Sequence, residues 1–251
     1  MARSGEAARR SKPDHPAAGH GLRSVLTGAV LLLAAACASP GAEVRQMGRS
    51  PVGQATQPSG SLAAQGPFQP DLVLTVCSMS VSNAPRIDAR RMVDGFSPLI
   101  RVNGLILAAA PVNNACVSSG FGPRFGRMHE GLDLQATPAG PVYAAAPGRI
   151  RELRRASGYG LQLVIDHGRG VFTRYAHLAS YAANLREGVY VGFGQKLGLM
   201  GDTGNATAVH LHYEILRGRW GERGSYGLTP TDPLSYPPYR IAETSTTARG
   251  P

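Results

Sequence analysis

The chain has 251 residues, of which 43% are hydrophobic and 17% charged, and a formal net charge of +10. That length suits one main domain plus a leader and a smaller attached region, and a domain of this size can bury a usable core. Five Lys or Arg and two Asp or Glu precede Cys37, which leaves +7 for the remainder, a basic balance that favours anionic polymers or phospholipid headgroups. No nucleic-acid recognition motif accompanies the charge, so nucleic acid is not expected as a partner.

Residues 1–36 read as an export signal. Arg9, Arg10, Lys12 and Arg23 precede an apolar run from Val25 to Ala36, interrupted only by Thr27 and Gly28 and ending at Cys37. The run is too short for an ordinary spanning helix, and it has the positive flank and small-residue end of a signal peptide. Ala34-Ala35-Ala36-Cys37 resembles a lipobox, in which the cysteine is acylated and becomes the first mature residue, although leucine is commoner than alanine at the first position. A lipid anchor on Cys37 is therefore expected, with ordinary cleavage after Ala36 or Ala38 as the alternative. Ala38-Ser39 lacks the aspartate associated with inner-membrane retention in diderm bacteria, which points to an outer-membrane lipoprotein on the periplasmic face.

Residues 37–70, rich in Gly, Pro, Gln, Ser and Ala, carry little hydrophobic periodicity and read as a flexible linker. Cys77 and Cys116 remain as an even pair in an oxidising compartment, where a disulfide between them is the natural expectation and two buried free thiols the alternative. Residues 71–112 suggest a small β-rich upstream region. Leu72 to Val76 reads as a strand, and Leu99 to Val102, Asn103-Gly104 and Leu105 to Leu107 form a hairpin signal, because Asn-Gly suits a two-residue type I′ turn.

Residues 113–238 read as short strands broken by Gly-rich turns: Val142 to Ala146, Gly148 to Leu153, Leu161 to Asp166, Val171 to His177, Val189 to Val191 and His210 to Leu216. No helix of comparable clarity appears, so the expected class is all-β. Residues 239–251 are expected to be a flexible tail.

Two polar clusters stand out in this region, His129-Glu130-Gly131-Leu132-Asp133 and His210-Leu211-His212, with His177 between them. A hydrolytic zinc ion usually takes three protein ligands and leaves a fourth position open. His129, Asp133 and one histidine of the later pair meet that count, and two histidines remain for acid/base work. On a strand from Ala208 to Leu216, His210 and His212 share one face while Val209, Leu211 and Tyr213 take the other. The first cluster is not the helical metalloprotease signature, and Glu130 is not read as a general base. His167, beside Asp166 and Gly168, is assigned to a turn.

Ser118-Ser119-Gly120-Phe121-Gly122-Pro123-Arg124, then His129 through Asp133, Tyr175-Ala176-His177-Leu178, Gly204-Asn205-Ala206-Thr207 and His210-Leu211-His212-Tyr213-Glu214 together resemble the lysostaphin-type zinc endopeptidases of bacterial cell walls. The resemblance implies Zn2+ held by His129, Asp133 and His212. It implies His210 as the group that activates the attacking water, and His177 as the group that stabilises charge on the tetrahedral intermediate. It also sharpens the fold to a twisted antiparallel sheet with a smaller sheet and loops forming a groove. Similar enzymes usually carry glycine and proline or serine just ahead of His-x-His, where this chain has Ala208-Val209.

The implied function is hydrolysis of peptide cross-links in peptidoglycan stem peptides, at D-alanyl to diaminopimelyl bonds. The alternative is a non-catalytic groove that binds and activates a cell-wall amidase. In similar enzymes an upstream segment can place an extra side chain on the zinc, for which Asn113 and Asn114 are the weak candidates here. Arg124 and Arg127 either meet stem-peptide carboxylates or serve solubility. Tyr143, Tyr159 and Tyr213 either line the groove or pack.

Overall fold

The computed structural model describes residues 66–79 and 81–240. The leader, Cys37 with its expected lipid and most of the linker and tail lie outside the described residues. In chain order the strands are β1 (Thr75–Val76), β2 (Leu99–Val102), β3 (Leu105–Ala108), β4 (Cys116–Ser119), β5 (Gly122–Arg124), β6 (Arg127–His129), β7 (Leu132–Gln135) and β8 (Pro141–Tyr143). They continue as β9 (Gly148–Ala156), β10 (Gly160–Asp166), β11 (Val171–Leu178), β12 (Ser180–Tyr181), β13 (Tyr190–Val191), β14 (Lys196–Leu199), β15 (Leu211–Arg217) and β16 (Thr229–Thr231). One short 3-10 turn, Gly224–Gly227, is the only helical element among the described residues.

The principal sheet runs β1-β4-β7-β15-β11-β10-β9-β13, with β16 paired to the far end of β15. Its pairs within residues 113–238 are antiparallel, as expected, and β1 of the upstream region joins the edge by pairing with β4 in parallel, which makes the sheet mixed there. A smaller sheet, β12-β14-β8, and the hairpins β2-β3 and β5-β6 complete the all-β fold. The β2-β3 turn has positive φ at both Asn103 (47°) and Gly104 (77°), as a type I′ turn requires.

Alternation along the central strands divides the sheet into two faces. Leu132 and Leu134 of β7, Leu211, Tyr213 and Ile215 of β15, and Tyr175 of β11 are completely buried in one apolar cluster. Val102 and Leu107 of the β2-β3 hairpin, Val142 and Leu197 of the smaller sheet, and Leu74 and Val76 join that cluster. Residues from the 71–112 stretch thus share the core of the main sheet. The opposite face carries a smaller cluster of Val164, Phe172, Leu216 and Leu228, with Trp220 against it, beside a set of buried polar side chains.

Cys77 and Cys116 form a disulfide that fastens the chain beside β1 to β4. Closing its loop of 39 residues stabilises the fold by about 4 kcal/mol in the chain-entropy account.

Some strands differ from the sequence pattern for identifiable reasons. Leu72 and Val73 are 83% and 54% exposed, and only Thr75–Val76 pairs. Ala144 and Ala145 are buried but irregular, their N–H groups donating to Gln195 O and Tyr175 Oη instead of a continuing ladder. β4, β7 and β14 are four residues each, too short to show a period of their own.

Candidate metal centre

Register places the ligand-type residues. Asp133 on β7 sits directly opposite His212 on β15, and Ala176 on β11 flanks His212 from the other side with a side chain small enough to leave room. β6 ends at His129, and the two-residue link Glu130-Gly131 leads into β7. A side chain at position 131 would not fit there, since its Cβ would lie 2.3 Å from the carbonyl oxygen of Tyr213.

The outcome is a tight triangle. His129 Nε2 is 3.0 Å from Asp133 Oδ1 and 3.1 Å from His212 Nδ1, and His212 Nδ1 is 2.8 Å from Asp133 Oδ1. All three residues are buried and together can hold a metal ion. A tetrahedral zinc ion with bonds of about 2.0–2.1 Å separates its ligand atoms by about 3.3 Å, so this nitrogen, nitrogen and oxygen set fits one with a shift of a few tenths of an ångström.

Each of these candidate ligands is held from behind. His129 Nδ1 donates to Gly120 O at 2.6 Å, which leaves Nε2 free for an ion. His212 does the reverse, with Nε2 donating to Glu214 Oε1 at 3.0 Å and Nδ1 turned to the centre. Asp133 Oδ2 accepts from Arg124 Nη1 at 3.2 Å, and the same nitrogen donates to Ser119 Oγ at 2.6 Å. Glu214 in turn pairs with Arg174, directly opposite on β11, at 2.7 Å. The Arg174 guanidinium lies 4.2 Å from the ring centroid of Tyr159 and 5.4 Å from that of Tyr226, so aromatic faces cover part of a cation that is 2% exposed. Such outer contacts fix imidazole orientation and basicity at metal sites.

His210 and His177 stand beside the triangle. His210 bridges to Gly201 just ahead of β15, so it shares the face of His212 although the strand begins at Leu211. Its Nδ1 donates to Ala208 O at 2.8 Å, and its Nε2 lies 3.5 Å from Asp133 Oδ1. The carbonyl, not the side chain, of residue 208 makes this contact. His177 Nδ1 donates to Thr203 O at 2.7 Å, and the His177 and His210 ring centroids are 4.7 Å apart.

Simple alternation from Tyr175 would send the His177 side chain into the apolar core. Instead His177 has φ of 60°, and the β10-β11 register shifts between Leu161↔Leu178 and Leu163↔Tyr175. This bulge turns His177 to the groove and returns Leu178 to the core, a use of bulges that recurs next to active sites.

Burial disfavours the Asp133 carboxylate, but hydrogen bonds from His129 and His212 outweigh it and hold the group well below the usual carboxylate range. Burial likewise opposes charge on His212, whereas its bonds to Asp133 and Glu214 push it up to about 9. His177 is pushed down to about 4 by burial, with the neighbouring His210 and His212 acting in the same direction against its Thr203 bond. It is therefore neutral near pH 7.

The groove in front of these residues has a volume of about 630 Å³, and Arg124, Arg127, Tyr159, Asn205 and Thr207 contribute to its walls. Tyr159 therefore lines the groove, while Tyr213 is a core residue whose hydroxyl donates to Ala108 O. Tyr143 is buried and stacks on Phe68. Asn113 is outside the metal cluster; its amide binds Pro67 O and Gln69 N. His167 sits at the β10-β11 turn and bridges Pro147 O and Thr173 Oγ1.

The sequence reading assigned no role to Glu214 or Arg174. Glu214 had a usable signal, since it lies two residues after His212 on one strand and so shares its face. Arg174 showed only as a charge inside an apolar run. The carbonyls of Gly120, Thr203 and Ala208 carry no side-chain signal.

Comparison with known proteins gives a match to the model of peptidase family M23 over residues 127–224. The DD-carboxypeptidase/endopeptidase Mpg of Neisseria meningitidis is 40% identical over 107 residues, covering 39% of this chain and 24% of that protein. The peptidoglycan DD-endopeptidase ShyB of Vibrio cholerae is 40% identical over 116 residues, 42% of this chain and 26% of its own length. The uncharacterized lipoprotein YgeR of Escherichia coli is 34% identical over 111 residues, 44% of this chain and 39% of its own. The chain thus spans about a quarter of the first two relatives' length. Residues 127–224, which hold the His129, Asp133 and His212 triangle with His177 and His210 beside it, thus match peptidase family M23, in agreement with the lysostaphin-type peptidases that the motifs resemble.

Proposed function

We propose that this protein is a zinc-dependent endopeptidase that hydrolyses the peptide cross-links of peptidoglycan, at D-alanyl to diaminopimelyl bonds. The observation that carries the reading is the convergence of His129 Nε2, Asp133 Oδ1 and His212 Nδ1 on one point, with two further histidines on the groove side. Zinc bound there would polarise the scissile carbonyl and lower the pKa of water toward neutrality.

The chain's own groups supply the proton traffic. His210, with Nδ1–H committed to Ala208 O, presents the Nε2 lone pair beside the centre and acts as the base toward the attacking water. His177 is anchored in the same sense on Thr203 O. Its Nε2 carries no proton while the ring is neutral, and a proton taken up from solvent in the groove would let it donate to the negative charge that develops on the substrate oxygen. Glu214 and Arg174 hold His212, and Arg124 holds Asp133, so the ligands do not reorganise on binding.

The names of Mpg and ShyB support a DD-endopeptidase activity, and the name of YgeR supports a lipoprotein. A lipid on Cys37 followed by a flexible linker would give an envelope enzyme reach from the outer membrane into the wall. Digestion of purified cross-linked muropeptide dimers tests the proposal. Monomers should appear, cease with a chelator and return with added zinc. Monomer release that is indifferent to chelation would overturn the zinc mechanism, and zinc-loaded protein that leaves dimers intact would overturn the activity.

A further inference from the structure

Ser82 and Asn83 lie upstream of the family match at 127–224, yet they touch the supports of two of the three proposed ligand residues. Asn83 accepts from Gly120 N through its backbone oxygen at 3.0 Å, and its side-chain Nδ2 donates to Gly120 O at 3.0 Å and Phe121 O at 2.7 Å. Gly120 O is the acceptor that fixes His129 Nδ1–H. The approach is so close that a Cβ at position 120 would lie 2.3 Å from Asn83 O.

One residue earlier, Ser82 Oγ lies 3.1 Å from Ser119 Oγ and accepts from Arg124 Nη1 at 3.3 Å, the nitrogen that also pairs with Asp133 Oδ2. The segment is braced in its turn by the Cys77–Cys116 disulfide, since Cys116 opens β4, which pairs with the Asp133-bearing β7.

We propose that Asn83 is a positioning residue of the metal centre. Its carbonyl and amide hold the N–H and the C=O of Gly120, in the two peptide groups that flank the Gly120 Cα, which fixes the direction of the Gly120 carbonyl and, through it, the ring of His129 with Nε2 toward the ion. This rests on the metal-centre reading above. A carbonyl oxygen has two lone pairs, so Gly120 O serves Asn83 and His129 together without competition. Without the Asn83 donor the Gly120 peptide is free to tilt, and the acceptor of His129 moves with it. Removing an outer-shell partner of a metal ligand typically weakens metal binding about 10–100-fold. Asn83 acts one bond further out, so about tenfold is expected.

The test uses the full chain with two substitutions suited to the positive φ of 52° at this position. Asn83→Gly keeps the backbone bond to Gly120 N and deletes the amide. Asn83→Asp is isosteric but turns a carboxylate toward two carbonyl oxygens. Asn184→Gly, at an exposed residue with φ of 65°, is the control. Zinc affinity is read by chelator competition, the ligand field by the visible spectrum of the Co2+-loaded protein, and the fold by thermal melting without metal.

The expected result is about tenfold weaker zinc binding and an altered Co2+ spectrum for Asn83→Gly, a larger loss for Asn83→Asp, wild-type values for Asn184→Gly and an intact fold in all three. Wild-type protein that binds no zinc overturns the metal-centre reading itself. Wild-type protein that binds zinc while both Asn83 variants match its affinity and spectrum overturns the role of Asn83 alone. Loss of the metal-free fold in both variants also overturns it, because the amide would then serve the fold and not the site.

Discussion

Leu211, Tyr213 and Ile215 enter a closed apolar cluster from one face of β15, while His212 and Glu214, from the other face of the same strand, enter a chain of hydrogen bonds ending at Arg174. Both faces are buried, but burial does different things on each. A fully buried aliphatic side chain contributes about 1.5–3 kcal/mol by leaving water. A buried polar group costs free energy until it is paired, and a buried ion pair often does no more than break even against an apolar replacement. One face therefore stabilises the sheet and the other uses that stability to hold geometry.

Exchanging a proposed metal ligand should break the polar face most completely. His129→Ala is expected to lose both bound zinc and muropeptide cleavage, by metal analysis and product chromatography. His210→Ala should separate the two, retaining stoichiometric zinc while cleavage falls about 10²–10⁴-fold, the usual range for a general base. Retained cleavage in His210→Ala would remove that residue from the mechanism.

Stability measurements sharpen the contrast between faces. Arg174→Met leaves Glu214 buried without its cation and is expected to cost about 3–5 kcal/mol in denaturant unfolding. Leu134→Ala, next to Asp133 but on the apolar face, should cost a similar 2–5 kcal/mol through a cavity. Unlike the Arg174 change, it should leave zinc affinity at the wild-type value. Glu214→Gln is smaller in effect, weakening zinc binding about 10–100-fold by loosening His212.

The mildest effect concerns His167, remote from the metal centre. Burial holds its pKa below the ordinary value of 6.5. As pH falls below that value the unfolded chain gains a proton that the folded chain refuses, so stability decreases toward acid. His167→Gln should flatten this slope in pH-dependent melting.

Much of this was legible beforehand. Five of the longer apolar runs became strands, Asn103-Gly104 became the predicted turn, and the spacing of His210 and His212 placed both on one face. The parallel contact of β1 with β4 was not legible, because pairing direction between distant segments leaves no local trace. Strands of three or four residues were missed where motif and glycine residues interrupt the hydrophobic period. Among the site residues, His177 shows the limit: its identity was visible, but alternation alone would have pointed it into the core.

The sequence by itself singled out His129, Asp133, His177, His210 and His212 as the side chains proposed for the chemistry, because histidine and aspartate recur there at spacings that short strands can bring together. The tertiary structure alone decided which nitrogen of each histidine faces the centre, the bulge that turns His177 outward, and the grip of Asn83 on Gly120. Those depend on backbone carbonyls and on register between segments far apart in the chain, and neither is written in side-chain identity.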